Sequence, residues 1–183
     1  MLLKDYIPNL NKSYSKIFFS GVSFESSKVK KNNIFFAIKG SKHDGNNYIN
    51  EAIKKGACVI VSDKRFTKKI LNIVFLYSQN PRKLLSQVCY KILNRKPKKL
   101  VAVTGTNGKS SIADFYYQIL NLNFKKVGSI GTIGIKHKNK KKLLTNTTLD
   151  PIQLSSILKY FKKKKIEHVI LEASSHGLIQ NRL

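Results

Sequence analysis

The sequence predicts an α/β protein made of two consecutive units around parallel sheets, and three observations carry that expectation. Short apolar runs of strand length alternate with stretches whose apolar residues recur at helical spacing. A polar joint that contains a proline, Asn94 to Lys99, separates two such series. Directly after it, an apolar strand runs into a glycine-containing turn and then a helix start.

The first unit covers residues 1–96. Asn33 to Ile38 is a continuous apolar run and reads as a buried strand. Tyr48, Ile49, Ala52 and Ile53 then recur at helical spacing, and Gly56 stops that helix. Ala57–Val61 and Ile73–Tyr77 read as two further strands. Pro81 opens a helix whose Leu84, Leu85, Val88, Cys89, Ile92 and Leu93 form one apolar stripe. No catalytic cluster stands out in this small α/β unit.

The second unit, residues 97–183, begins with a strand ending at Val103, read as buried, and a helix from about Lys109 to Leu122. Lys126 to Gly134 is a strand and turn interrupted by glycines. Asp150 and Pro151 make an N-cap and first-turn pair, and Ile152, Leu154, Ile157, Leu158 and Phe161 line the buried face of the helix that follows. His168–Leu171 is another buried strand. Strands alternating with helices imply a parallel sheet with helices on both faces.

The charge of +26 on 183 residues invites a nucleic-acid partner, but its make-up argues otherwise. There are 31 Lys against 4 Arg, with 16 Asn and abundant Ile. Base readout and bidentate phosphate grip favour arginine. Lys, Asn and Ile share A/T-rich codons, so genome composition accounts for much of the excess. A general attraction for anionic substrates follows; a specific nucleic-acid partner does not. No apolar run approaches the roughly 20 residues that span a bilayer, and the N-terminus lacks the layout of a secretory signal. Cys58 and Cys89 stand apart in apolar segments and read as buried free thiols. A cytoplasmic protein, monomeric and off the membrane, is the expectation.

The most informative segment is Leu100 to Ser111. Strand, tight turn and helix start bring backbone N–H groups, the positive end of a helix and the Lys109 ammonium to one spot, which is a phosphate site. Gly105, Thr106, Asn107, Gly108, Lys109, Ser110 and Ser111 are its candidate residues. The common G-x-x-x-x-G-K-[ST] loop would need glycine where Val103 stands, so this turn is tighter. Ser110 supplies a hydroxyl that can ligate the Mg²⁺ accompanying a nucleoside triphosphate. A chance glycine turn followed by an accidental lysine is the competing reading, and the order of strand, turn, lysine and hydroxyl argues against it.

Glu172 closes the strand His168–Leu171 and projects toward the crevice where parallel sheets bind ligands. It can hold Mg²⁺ opposite Ser110; an ordinary strand-end salt bridge is the alternative. Taken alone, His176 beside Gly177 reads first as a hydrogen-bonding turn residue. Lys109, Glu172 and His176 are the candidate catalytic residues, with Ser110 and Glu172 as metal ligands.

These segments carry a family resemblance. Val103 to Ser110 resembles the ATP loop of the Mur ligases, the ATP-dependent amide-forming enzymes of peptidoglycan precursor synthesis. Glu172 to Arg182, and Asn146-Thr-Thr148 with Asp150-Pro151, resemble the type that adds the third amino acid to the UDP-MurNAc dipeptide. In the first unit, Glu25-Ser-Ser27, Val29 to Gly40 and His43-Asp-Gly45 resemble the family's UDP-binding domain.

The resemblance implies that Gly105 to Ser111 hold the ATP phosphates. It implies that Phe24, Ser26, Ser41, Lys42 and His43 contact the UDP end of the substrate. Asn146, Thr147, Thr148, Ser174, Gln180 and Arg182 would contact the UDP-MurNAc-dipeptide, with Arg182 gripping its anionic groups. Two departures stand out: Glu25-Ser26-Ser27 replaces the usual Asp-Ser-Arg, and Ser110-Ser111 replaces paired threonines.

The resemblance also implies a longer protein, with a complete central domain and a third domain for the incoming amino acid. The 183 residues therefore resemble an N-terminal piece whose ATP-binding domain is truncated and which is inactive alone. The implied reaction uses ATP and Mg²⁺ to join a free amino acid, meso-diaminopimelate or else lysine, to the dipeptide carboxylate through an acyl phosphate. A different Mur-type or folate-glutamate ligase, and a nucleotide-binding module without catalysis, are the other readings.

Overall fold

In the computed structural model, the described residues are 1–41, 43–66, 70, 72–94, 96–138, 140–142 and 149–182. The chain divides into two compact units, Met1–Ile92 and Leu93–Leu183.

The first unit is built on a four-stranded sheet of β1 (Gly21–Ser23), β2 (Asn33–Ala37), β3 (Ala57–Ser62) and β4 (Val74–Tyr77), in that spatial order. All three pairings are parallel. β2 is buried along its whole length and β3 everywhere but Cys58, so both read as unbroken apolar runs rather than alternating ones. Helix α1 (Ile49–Lys54) packs Ile49 and Ala52 against Phe35, Ala37, Ala57 and Ile60. Helix α2 (Pro81–Leu93) starts at its proline and buries Leu85, Val88 and Cys89. The short β1 lacked the apolar run that would have marked it in the sequence.

The second unit holds β5 (Lys99–Val103), α3 (Lys109–Leu122), β6 (Val127–Gly131), β7 (Gly134–His137), β8 (Lys140–Lys142), α4 (Pro151–Lys163), β9 (His168–Glu172) and α5 (Ser175–Ile179). Its sheet runs β5-β9-β6-β7-β8. β5, β9 and β6 are parallel, whereas β7 and β8 turn back as antiparallel strands. Leu158 and Phe161 of α4 pack with Ile130, Val169 and Leu171 in the core. Gly128 leaves room for that helix, since a Cβ there would come within 2.6 Å of the Phe161 ring.

One expectation needs correction. β5 is not a buried strand: among the described residues it lies at the edge of the sheet beside β9, and none of its residues is fully buried. The expected parallel sheet is present in β5, β9 and β6, and an antiparallel hairpin, β7–β8, extends it with a lysine-rich sequence that carries no apolar alternation.

Helix α3 buries Ala113 and Tyr117, and its outer side shows a row of apolar side chains. Ile112, Phe115, Ile119 and Leu122 on it are between 55% and 74% exposed. Among the described residues no helix is long and apolar enough to cross a membrane.

Candidate functional site

A loop that contains two glycines joins β5 to α3. Gly105 has φ +147° and Gly108 has φ +78°, conformations that glycine adopts without a Cβ clash. Gly108 is the N-cap of α3 and, as glycine, brings no side-chain oxygen to cap it. The N–H groups of the first helical turn, from Gly108 through Ser111, have no acceptor within the helix. They are donors for an anion at the positive end of the helix.

The Lys109 side chain folds back over the loop. Its Nζ donates to the carbonyl oxygens of Gly105 at 2.6 Å and Thr106 at 3.1 Å. The ammonium therefore sits beside the loop instead of trailing into solvent. Gly105, Thr106, Asn107 and Gly108 are all exposed, so a phosphate chain can reach them.

The strand order brings Glu172 to this loop. β9 is the neighbour of β5 in parallel register, with Val103 beside Glu172, and the Ala173 N–H continues the pairing to the Val103 carbonyl at 2.8 Å. Glu172 is only 3% exposed. Its Oε2 accepts from Ser110 Oγ at 2.9 Å and from Thr132 Oγ1 at 3.0 Å, and its Oε1 accepts from the Thr132 N–H at 2.9 Å. Ser110 and Glu172, 62 residues apart in sequence, are thus brought together by a hydrogen bond.

These oxygens fit a Mg²⁺ ion. All are hard donors, and an octahedral Mg²⁺ with bonds of about 2.0–2.1 Å sets neighbouring ligands about 2.9 Å apart. Ser110 Oγ and Glu172 Oε2 already have that spacing. No cluster of three or more His, Cys, Asp or Glu occurs among the described residues. Mg²⁺ at this place would be held by Ser110 and Glu172 and would need further oxygen ligands from outside the chain.

His176 does not join this cluster. It sits exposed on α5, whose N-cap Ser174 accepts from the Gly177 N–H at 3.0 Å. The turn residue of the sequence reading is thus part of a short helix. Gln180 follows that helix, and its Oε1 accepts from Arg182 Nε at 3.0 Å and Nη2 at 2.6 Å.

In the first unit, Phe24 and Ser26 follow the carboxyl end of β1, while Ser41 and His43 follow that of β2. Because β1 and β2 are parallel neighbours, both segments leave the same end of the sheet. Phe24 is half-buried, and Ser41 and His43 are exposed. Ser26 Oγ donates to Glu51 Oε2 at 2.8 Å, and Lys55 Nζ lies 3.0 Å from Glu51 Oε1. The Lys55 ammonium first, then the Ser26 hydroxyl, holds the Glu51 carboxyl below its ordinary range. Asp44 is held low as well, chiefly by the Asn46 N–H. Lys42, Asn146, Thr147 and Thr148 lie outside the described residues.

Sequence reasoning missed Thr132, which bonds both oxygens of the Glu172 carboxylate. The one signal available was the Gly-Thr-Ile-Gly turn at 131–134, where glycines close to a strand end mark a tight approach.

The second unit thus sets a glycine-started helix, a folded-back lysine and a hydroxyl–carboxylate pair at one end of an α/β sheet. The Mur ligase middle domain matches residues 103–183 and the Mur ligase family catalytic domain matches residues 19–93; the chain belongs to the Mur ligase family. Within it, the UDP-N-acetylmuramoyl-L-alanyl-D-glutamate–2,6-diaminopimelate ligase of Rickettsia felis is 38% identical over 179 residues, covering 96% of this chain and 34% of its own. The ligase of the same name from Wigglesworthia glossinidia brevipalpis is 37% identical, over 100% of this chain and 38% of its own. A solved structure of a ligase of that name superposes with a TM-score of 0.84 at 26% identity, over 100% of this chain and 38% of that one. MurF ligase from Thermotoga maritima, solved in complex with ADP, shares the fold with a TM-score of 0.56 at 22% identity, over 84% of this chain and 32% of that one. The chain spans about a third of the length of the curated relatives it matches.

Proposed function

We propose that this chain supplies the ATP-phosphate site and the UDP-binding unit of a ligase that adds meso-diaminopimelate to UDP-MurNAc-L-Ala-D-Glu. The observation that carries the reading is the loop at Gly105–Ser111, open to an anion and set 2.9 Å from a buried carboxylate. The names of the relatives support the choice of amino acid. In the ATP half-reaction, a carboxylate oxygen of the dipeptide attacks the γ-phosphorus, and the bond to the β-phosphate oxygen breaks. ADP leaves, and the carboxylate becomes an acyl phosphate. The amine of the second substrate then attacks the acyl carbon; inorganic phosphate departs, a proton is released and the amide remains.

In this reading Lys109 and the first-turn N–H groups of α3 neutralise charge as it shifts onto the β- and γ-phosphates. Ser110 and Glu172 hold Mg²⁺, which supplies further charge neutralisation when bound. Phe24, Ser26, Ser41, Lys42 and His43 bind the UDP end. Asn146, Thr147, Thr148, Ser174, Gln180 and Arg182 bind the remainder of that substrate. His176, being exposed and apart from the Glu172 cluster, has the weakest support as a catalytic group.

The test has two stages. Titration calorimetry on this chain should show ADP binding that tightens with Mg²⁺. In the complete gene product, ATP turnover should require both UDP-MurNAc-dipeptide and diaminopimelate. Turnover without the dipeptide, or supported equally well by folate and glutamate, would overturn the reading.

A further inference from the structure

We propose that Thr132 is a positioning residue for the divalent-cation site, aiming the Glu172 carboxylate at Ser110 before any cation arrives. The inference rests on the Mg²⁺-nucleotide reading of that site and goes beyond it, because Thr132 belongs to none of the motifs that suggested the reading. Glu172 has three side-chain torsions, and freezing them at the moment of binding would oppose binding entropically. Here they are frozen in advance.

The sheet explains how. β6 lies beside β9 with Ile130 next to Leu171, so the residues that follow each strand end come together. β6 and β7 are joined by the two-residue turn Thr132-Ile133, closed by the pair Gly131 and Gly134. That turn carries Thr132 over the end of β9. Its N–H binds Oε1 at 2.9 Å and its hydroxyl binds Oε2 at 3.0 Å, while Oε2 also faces Ser110 Oγ at 2.9 Å. One residue thus touches both carboxylate oxygens and fixes the plane of the group.

Gly131 completes the arrangement. A Cβ at that position would fall 2.1 Å from Glu172 Oε1, so any side chain there would push the carboxylate away. The donors are also chemically apt. A lysine or arginine in the place of Thr132 would orient the carboxylate but add a positive charge that repels the cation. A neutral N–H and a hydroxyl orient it and leave its negative charge available. The β-branch of threonine limits χ1 and keeps the hydroxyl pointed.

Calorimetric titration with ADP, run with Mg²⁺ and again with EDTA, tests the proposal on this chain through the ratio of the two affinities. Thr132→Val removes the hydroxyl and keeps the N–H and the shape. It should lower the Mg²⁺ enhancement by about tenfold, as loss of an outer-sphere partner does. ADP affinity in EDTA should stay within about twofold. Thr132→Ser should retain the enhancement. If valine disturbs folding, the comparison of Thr132→Ala with Thr132→Ser isolates the same hydroxyl.

An unchanged enhancement in the valine or alanine variant overturns the proposal. So does an equal loss with and without Mg²⁺, which would make Thr132 a general loop support. Glu172→Gln separates the two layers of inference. If it abolishes the enhancement while Thr132→Val leaves it intact, only the role of Thr132 falls. If the unsubstituted chain shows no enhancement, the cation-site reading falls and takes Thr132 with it.

Discussion

Helices α3 and α4 belong to the same unit, and their first turns are opposites. At α4 the Asp150 carboxylate accepts from the N–H groups of Ile152 and Gln153, both at 2.9 Å, and Pro151 removes one further donor. At α3 a glycine in the left-handed region stands where the cap would be and brings no side chain to close the turn. α4 is thus satisfied by its own chain, and α3 leaves its donors for something external. Helix starts are common; what marks this one is that the means of internal satisfaction has been withheld. The lysine bonded to the loop carbonyls and the carboxylate 2.9 Å from Ser110 are the groups on which the proposed phosphate and cation site rests.

Removing the lysine should break this contrast most severely. Lys109→Ala should weaken ADP binding by about 100-fold, since charge-assisted bonds to phosphate are among the strongest available. Calorimetry would show it, while circular dichroism should report an intact fold.

Adding a negative charge to the open turn comes next. Gly108→Asp puts a carboxylate where the phosphate should sit, and aspartate tolerates the left-handed conformation better than most residues. ADP affinity should drop by about tenfold, which is the scale of a charge placed at a helix end. An affinity equal to that of the unsubstituted chain would mean that α3 is not the anion site.

The reciprocal change at α4 should affect stability alone. Asp150→Ala frees two N–H groups and should cost about 1 kcal/mol, read from denaturant unfolding, with nucleotide affinity unaltered. A loss of affinity would show that the two helix starts are coupled.

The smallest effect belongs to the first unit, where capping and pairing again keep polar groups satisfied. Glu51 and Asp44 are both held below the ordinary carboxylate range in the folded chain. Their stabilisation is present above the unfolded carboxylate range and is lost as pH falls through the lower folded values. Glu51→Gln should therefore flatten the acid side of the curve of melting temperature against pH by a small amount, because the group is solvent-exposed.

Much of this contrast was legible in the sequence. α3 runs from Lys109 to Leu122, the bounds expected from its glycine start and apolar spacing. Asp150 and Pro151 are local signals, and they act locally. Ser110 and Glu172 could be paired because strand ends in parallel sheets converge on one crevice. β5 read as buried because apolar content does not reveal which strand occupies an edge. β8 could not be seen, as three lysines carry no periodicity. Thr132 was invisible for a different reason: its partner is 40 residues away, and only the register of β6 against β9 brings them together.

The outer row on α3 has a consequence for handling the protein in solution. Ile112, Phe115, Ile119 and Leu122 expose enough apolar surface for copies to adhere, while a net charge of +26 drives copies apart. Salt shortens the reach of that repulsion to about 8 Å at 0.15 M and leaves apolar attraction intact. The chain should behave as a charge-stabilised colloid, dispersed in dilute buffer and clumping as ionic strength rises.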